Sequence, residues 1–411
     1  MGWRLGTEAT GRDTGELYTR RGFLAVSAIA AVACVDRTQE TVPDSVATRV
    51  DGSESEWSLF VGTDTKSGTS TGIYRTTVNA RTLAFGAMTL AAETADPSYL
   101  AFTPNHRVLI AVNELLAFEG NASGAVSAFR HDAATGTLTA VPPMRSSRGG
   151  APCYVHIDRS GRYALVASYV GGRIAMLPIA KDGSLGNATA SIAFDGHGPH
   201  AARQESSHTH CILLDAENRF AYVADLGTDR IHVFAFDAAS GTLTPAERPF
   251  VSLAPGAGPR HLAFSTDGRT LYCVNELDST LAVFACDAQS GLLQQTHVVS
   301  TRPPNATGNN APADLHVHPT NGAVYLSNRG DNTVVVFDIS PSDGRPTLGQ
   351  AIASGGDWPR NFTFTPDGNG LLVAHQRSNT IVAFRINATS GRLSSPLHTA
   401  TVPVPVCLLF A

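Results

Sequence analysis

A unit of about fifty residues recurs seven times along this chain, and each copy opens on a proline, or on one substitute, followed by apolar residues at fixed offsets. The openers are Pro97, Pro152, His208, Pro259, Pro312, Pro359 and Pro405, separated by 46 to 56 residues. Three and five positions later stand Leu100/Phe102, Val155/Ile157, Cys211/Leu213, Leu262/Phe264, Leu315/Val317, Phe362/Phe364 and Leu408/Phe410. Apolar residues at a period of two mark a strand. Strand-built repeats of this length are the signature of a β-propeller.

One copy, residues 258–293, shows the blade. Gly-Pro-Arg-His-Leu-Ala-Phe is followed by a Thr-Asp-Gly turn, Leu-Tyr-Cys-Val-Asn-Glu, a short loop, Thr-Leu-Ala-Val-Phe and Ser-Gly-Leu-Leu. The glycines supply the positive-φ positions that hairpin turns need, which predicts four antiparallel strands. The last copy holds a single strand, and its missing partners stand at the other end of the chain, in Ser58–Thr63, Gly72–Tyr74 and residues 82–92. The prediction is an all-β, seven-bladed propeller over residues 57–411, its ring closed by N-terminal strands plus the C-terminal strand. Such closure covers the strands that an incomplete seventh blade would expose.

The residues ahead of the repeats differ in kind. Thr19-Arg20-Arg21-Gly22-Phe23-Leu24 and an apolar run ending in Ala31-Val32-Ala33-Cys34 have the charged, apolar and small-residue regions of an export signal. The paired arginines predict twin-arginine export within residues 1–34, to the periplasm or beyond, with Cys34 as a possible lipid anchor. Residues 35–56, rich in Asp, Glu, Ser and Thr, predict a flexible linker. A formal charge of -5 offers no basic surface for a polyphosphate backbone, so no nucleic-acid partner is expected. Cys153, Cys211, Cys273, Cys286 and Cys407 fall at scattered strand positions and read as small core residues.

Antiparallel neighbours reverse direction, so the first strand of each blade begins, and the second ends, on one rim. Seventeen residues after each opener stand Glu114, Tyr169, Asp225, Glu276, Arg329 and Gln376, with Thr63 completing the set from the N-terminal segment. None is aliphatic. The positions just after the openers add His210, Arg260, His261, Asp314, Arg360 and Asn361. A functional site is predicted on this rim.

The stretches Arg203-Gln204, His208-Thr209-His210, Asp225-Leu226-Gly227-Thr228-Asp229-Arg230, Gly258-Pro259-Arg260-His261, Asn275-Glu276-Leu277, Ser327-Asn328-Arg329-Gly330 and Pro359-Arg360-Asn361-Phe362 closely resemble the seven-bladed lactonase family. That family includes propeller-type 6-phosphogluconolactonases and fungal carboxy-muconate cyclases. The resemblance runs from about Leu59 to Phe410 and implies a catalytic set of His210, Arg260, Glu276 and Arg329, with no metal or cofactor. Tyr169, Asp225, Arg360, Asn361 and Gln376 are expected to bind substrate.

The chemistry agrees with that set. Opening a lactone needs a base to activate water and donors to hold the oxyanion. Glu276 or His210 is expected as the base, and Arg260 and Arg329 as the donors. A glutamate between arginines is held ionised and becomes a weaker base, which favours His210. The histidine pairs His208/His210 and His316/His318, with His197 and His200, lack a recognisable zinc spacing. The expected protein is a monomeric, exported lactone hydrolase for a sugar or other small anionic lactone. A lactone-forming cyclase and a non-catalytic cell-envelope scaffold are the competing readings.

Overall fold

The computed structural model describes residues 55–411. The expected export segment, Cys34 and nearly all of the linker lie outside the described residues. Every named element of the described chain is a strand, and the strands assemble into seven antiparallel sheets. The innermost strands are Pro97–Phe102 (blade I), Gly150–Ile157 (II), Thr209–Leu214 (III), Pro259–Phe264 (IV), Pro312–Val317 (V), Pro359–Phe364 (VI) and Pro405–Phe410 (VII). In blades I to VI the next three strands follow in chain order. In blade VII, Pro405–Phe410 is followed outward by Glu56–Thr63, Gly72–Asn79 and Thr89–Glu93. Each inner strand touches the inner strands on both sides, Pro405–Phe410 touching those of blades VI and I, so the ring closes as the repeat predicts.

The core lies between blades. Each sheet buries both faces, which is why second strands such as Val108–Asn113 and Gly370–His375 are buried along their whole length. Ile110, Val112 and Val126 of blade I pack on Val155, Val166 and Leu177 of blade II. The composite blade is held from both sides: Leu59 and Val61 meet Leu372, Ala374 and Ile381 of blade VI, while Phe60, Ile73 and Cys407 meet Leu100, Leu109 and Ala111 of blade I. Each Val, Leu, Ile or Phe among them contributes about 1.5–3 kcal/mol on burial. Cys153, Cys211, Cys273 and Cys407 are buried, Cys286 is half-buried, and all five are unbridged.

A bulge recurs in every blade. Pro259 pairs with Asn275 and His261 with Val274, so Arg260 is left without a partner in the ladder. The same irregularity falls at Ser98, Cys153, His210, Ala313, Arg360 and Val406. A bulge re-aims the side chain it carries. Here the seven bulges put one side chain per blade at the same end of its inner strand.

This ring corrects the sequence register in two blades. Blade III begins at Thr209, which pairs with Asp225, so the true opener is Thr209 and not His208. Asp225 therefore aligns with Asn275, the last paired residue of its strand, and Leu226 aligns with Glu276. In blade VII Thr63 pairs with Pro405, so Asp64, not Thr63, is the counterpart of Glu276. A slip of one residue exchanges the two faces of a strand. Thr63 and Asp225 are accordingly fully buried.

The residue paired with each opener reads Asn113, Ser168, Asp225, Asn275, Asn328, His375 and Thr63 around the ring. Asn113 and Asn328 donate Nδ2 to the loop carbonyls of Ala95 and Thr301, and Asn275 donates Nδ2 to the Thr280 hydroxyl on the next strand of its own blade. His375 is fully buried, and neither ring nitrogen has a partner among the described residues. Burial lowers its pKa from 6.5 to about 4. The unfolded chain then binds a proton that the folded state refuses, so stability falls as pH drops from 6.5 toward 4. His375→Asn, which installs the side chain of blades I, IV and V, is expected to raise the unfolding midpoint more at pH 5 than at pH 8. Denaturant titrations at both values test this, and an equal change at the two would refute it.

Candidate active site

The polar rim is built by the bulge residues and by the residue after each second strand. Four of the predicted residues lie together there. Glu276, just beyond Thr270–Asn275 of blade IV, meets three guanidinium groups: Arg203 Nη2 lies 2.6 Å from Oε1, while Arg329 Nη2 and Arg260 Nε lie 2.6 and 3.0 Å from Oε2. Arg260, Glu276 and Arg329 expose only 2%, 4% and 6% of their surfaces. Arg260 Nη1 donates to the carbonyl of Ala313 at 2.5 Å, and Arg329 Nε to that of Ala311 at 2.9 Å. The two guanidiniums are thus fixed by the backbone of blade V before any ligand arrives, which is the preorganisation that electrostatic stabilisation requires.

Burial alone would raise the Glu276 carboxyl, but Arg329, Arg260 and Arg203 outweigh it and hold the group well below the usual carboxylate range. Burial lowers Arg329 to about 9, with Arg260 and Arg360 acting in the same direction and Glu276 opposing them. It remains a guanidinium at neutral pH. Three cations on one anion leave two positive charges uncompensated at this point of the rim.

His210 takes the bulge position of blade III, the place that Arg260 holds in blade IV. Its ring meets that of Tyr169 edge-on at 5.8 Å and that of His261 at 5.3 Å, and its Nδ1 is buried without a partner. Burial, then Arg260, His261 and Arg360, depress its pKa well below 6.5, so it is a neutral imidazole at physiological pH.

Arg203 was not singled out as a site residue by the repeat, because it stands in the non-repeating loop between blades II and III. Its Nη2 spans from Glu276 to the Tyr169 hydroxyl, 3.2 Å away, and so ties blade II to blade IV past His210. Gln204 fixes this loop: it is fully buried, and its Nε2 donates to Leu226 O at 2.8 Å and to Asp229 Oδ1 at 2.7 Å. Asp229 also accepts the backbone N–H groups of Gly256 and Gly258 at 2.7 and 2.8 Å. Gly258 has φ +68, and a Cβ there would lie 2.4 Å from Leu277, so glycine is needed for the chain to enter blade IV beside Glu276. The Arg203-Gln204 pair, together with His197 and His200, was the signal in the sequence that pointed to this loop.

Three expected substrate ligands are placed differently. Asp225 spends its oxygens on Ser207, His208, Gly227 and Thr228. Asn361 bridges blades, giving Nδ2 to Asp314 at 2.6 Å and accepting the Leu408 N–H at 2.7 Å. Tyr169 reaches the site through Arg203. Arg360 and Gln376 line a separate hollow on the rim. Among the described residues no three His, Cys, Asp or Glu side chains are placed to hold a metal ion. Glu276 and Arg203 open onto a cleft of ≈ 530 Å³, which His200, Arg302, Asn309 and Asn310 also line. That is within the usual size of a small-molecule site.

Residues 58–410 match the model of the lactonase family with a seven-bladed β-propeller. The chain belongs to that family. This lactonase is 32% identical over 351 residues to the 6-phosphogluconolactonase of Bacillus subtilis, covering 85% of the present chain and 97% of that protein. It resembles the solved structure of the periplasmic gluconolactonase of Pseudomonas aeruginosa with a TM-score of 0.79 and 31% identity, over 87% of this chain and 99% of that one. A structure from Bacteroides fragilis gives 0.80 and 34%, over 88% and 99%. The all-β, seven-bladed reading and the lactone-hydrolysing class thus agree with these findings.

Proposed function

We propose that this chain is an exported lactonase that opens a sugar lactone or other small anionic lactone by attack of water at the rim. The observation that carries the proposal is the set of three guanidiniums on Glu276, with two positive charges left over. These suit an anionic substituent, the oxyanion that forms on the lactone carbonyl and the carboxylate that is produced. Arginine meets each by paired hydrogen bonds.

In this mechanism the water oxygen attacks the carbonyl carbon while His210 takes the water proton. The carbonyl electron pair moves onto oxygen beside Arg260 and Arg329. Collapse of the tetrahedral species breaks the ring C–O bond, and His210 returns its proton to the leaving alkoxide, giving the hydroxy acid. Glu276, locked in its ionised form, aligns the arginines and is not the base.

His210→Ala is expected to lower kcat by roughly 10²–10⁴, the usual contribution of a general base. A pH-stat assay over aldono-, phospho- and aromatic-derived lactones reads this out, and full activity in the variant would sink the assignment. The pH profile carries its own sign. A base works only unprotonated, and the His210 pKa lies well below 6.5, so kcat/KM should stay level as pH falls through 6.5 and break only below it. A break at the ordinary histidine pKa would exclude His210.

Export rests on the pattern of residues 19–34, and a periplasmic gluconolactonase stands among the similar structures. Replacement of Arg20 and Arg21 by lysine should leave the protein in the cytoplasm on fractionation. Unchanged delivery would overturn the twin-arginine route.

A further inference from the structure

Blades VI, VII and I carry a second polar hollow on the same rim, of ≈ 90 Å³, lined by Arg360 and Gln376, by Asp64 and Val406, and by Ser98 and Glu114. Two of its other charges are already satisfied: Lys66 pairs with Asp96 at 2.9 Å, and Asp96 also accepts two bonds from Thr65. Asp64 is engaged by the N–H groups of Lys66 and Ser67 and by the Ser67 hydroxyl.

The remaining four groups are under-used. Ser98 is 6% exposed, and its hydroxyl is buried with no partner among the described residues. Arg360 makes no hydrogen bond among the described residues and reaches Glu114 only at 3.9 Å. Gln376 has one side-chain contact, to Asp64 at 3.5 Å. Buried and half-buried polar groups are normally paired, and groups left open around a hollow need an explanation. The hollow sets three carboxylates, Asp64, Asp96 and Glu114, against two cations, Lys66 and Arg360, whereas the Glu276 cluster keeps two positive charges.

We infer that this hollow is a hydroxyl-binding subsite, in which Ser98, Glu114, Arg360 and Gln376 hold the polyol arm of the substrate while its carbonyl end lies at the arginine cluster. The volume is that of about three waters, enough for a short run of hydroxylated carbons and too small for a ring with a bulky aromatic substituent. Carboxylate and amide oxygens accept from hydroxyls, and guanidinium, amide and serine donate to them. Arg360 links the two halves, since its charge also acts on Arg260, Arg329 and His210. The rim is thus divided, with blades II to V holding the reacting end and blades VI, VII and I reading the hydroxylated end.

The inference rests on the lactonase reading above, and binding of product acids tests it separately from turnover. The probes are gluconate and hexanoate, six-carbon carboxylates with and without hydroxyls, titrated calorimetrically into the full chain. Wild type should prefer gluconate. Ser98→Ala and Gln376→Ala should each weaken gluconate by tenfold or more and leave hexanoate unchanged, while Arg329→Lys should weaken both. Ser98→Ala removes no hydrogen bond that holds the fold, so its unfolding midpoint should match wild type. Equal affinity of wild type for the two acids, or equal losses for both in the Ser98 and Gln376 variants, would overturn the subsite. Loss of turnover without these binding patterns changing bears only on the hydrolytic reading.

Discussion

Glu276→Gln is expected to abolish turnover and to cost about 3–5 kcal/mol of stability, the usual penalty for removing one partner of a buried ion cluster. The cause is not the lost attraction alone. Arg260 and Arg329 would stay buried, 2% and 6% exposed, with no anion to compensate them. Urea titration should show a lower midpoint at unchanged slope. Adding Arg260→Gln should restore part of the loss, because it removes a stranded charge. The pH dependence supplies a second check. The Glu276 carboxyl is held well below its ordinary 4.5, so its stabilisation is complete above that value and fades as pH falls toward the lowered pKa. The gap between wild type and Glu276→Gln should therefore narrow in acid. A gap independent of pH would mean that the carboxylate is not the stabilising group.

Truncation before Pro405 is expected to remove the folded state altogether. The seven residues lost include the whole inner strand of blade VII, which pairs with Leu59–Thr63 and buries Val406, Cys407 and Leu408. Without it, Glu56–Thr63 becomes an open edge, and blades VI and I lose the strand that joins them. Cooperative unfolding should disappear, with aggregation at the exposed edge seen on size-exclusion chromatography. A truncated chain that still melts cooperatively would show that the ring does not need its closing strand.

The ring and its closure were legible in the sequence because strands with both faces buried repeat their apolar pattern in every copy. The register of blade III was not. Its opener is not a proline, and His208-Thr209-His210 offers two starting points one residue apart; the pairing of Thr209 with Asp225 decides between them. His210, Arg260, Glu276 and Arg329 were legible because the family's motifs carry them and the repeat puts all four on one rim. Arg203 was passed over as a site residue because the loop that carries it has no counterpart in other blades, and only Gln204, anchored on Asp229, fixes where it reaches. The placement of Asn361 and Asp225 depends on hydrogen bonds between and within blades that spacing alone does not encode.

The unpaired bulge residue of each inner strand has a consequence for how this protein can change. Its side chain is exempt from the ladder, so the sheet does not dictate what it must be. Three of the seven sockets hold His210, Arg260 and Arg360, and the other four hold Ser98, Cys153, Ala313 and Val406. The fold therefore works as a turret with interchangeable tools, in which a new specificity is written by exchanging Cys153, Ala313 or Val406 while every strand keeps its partner.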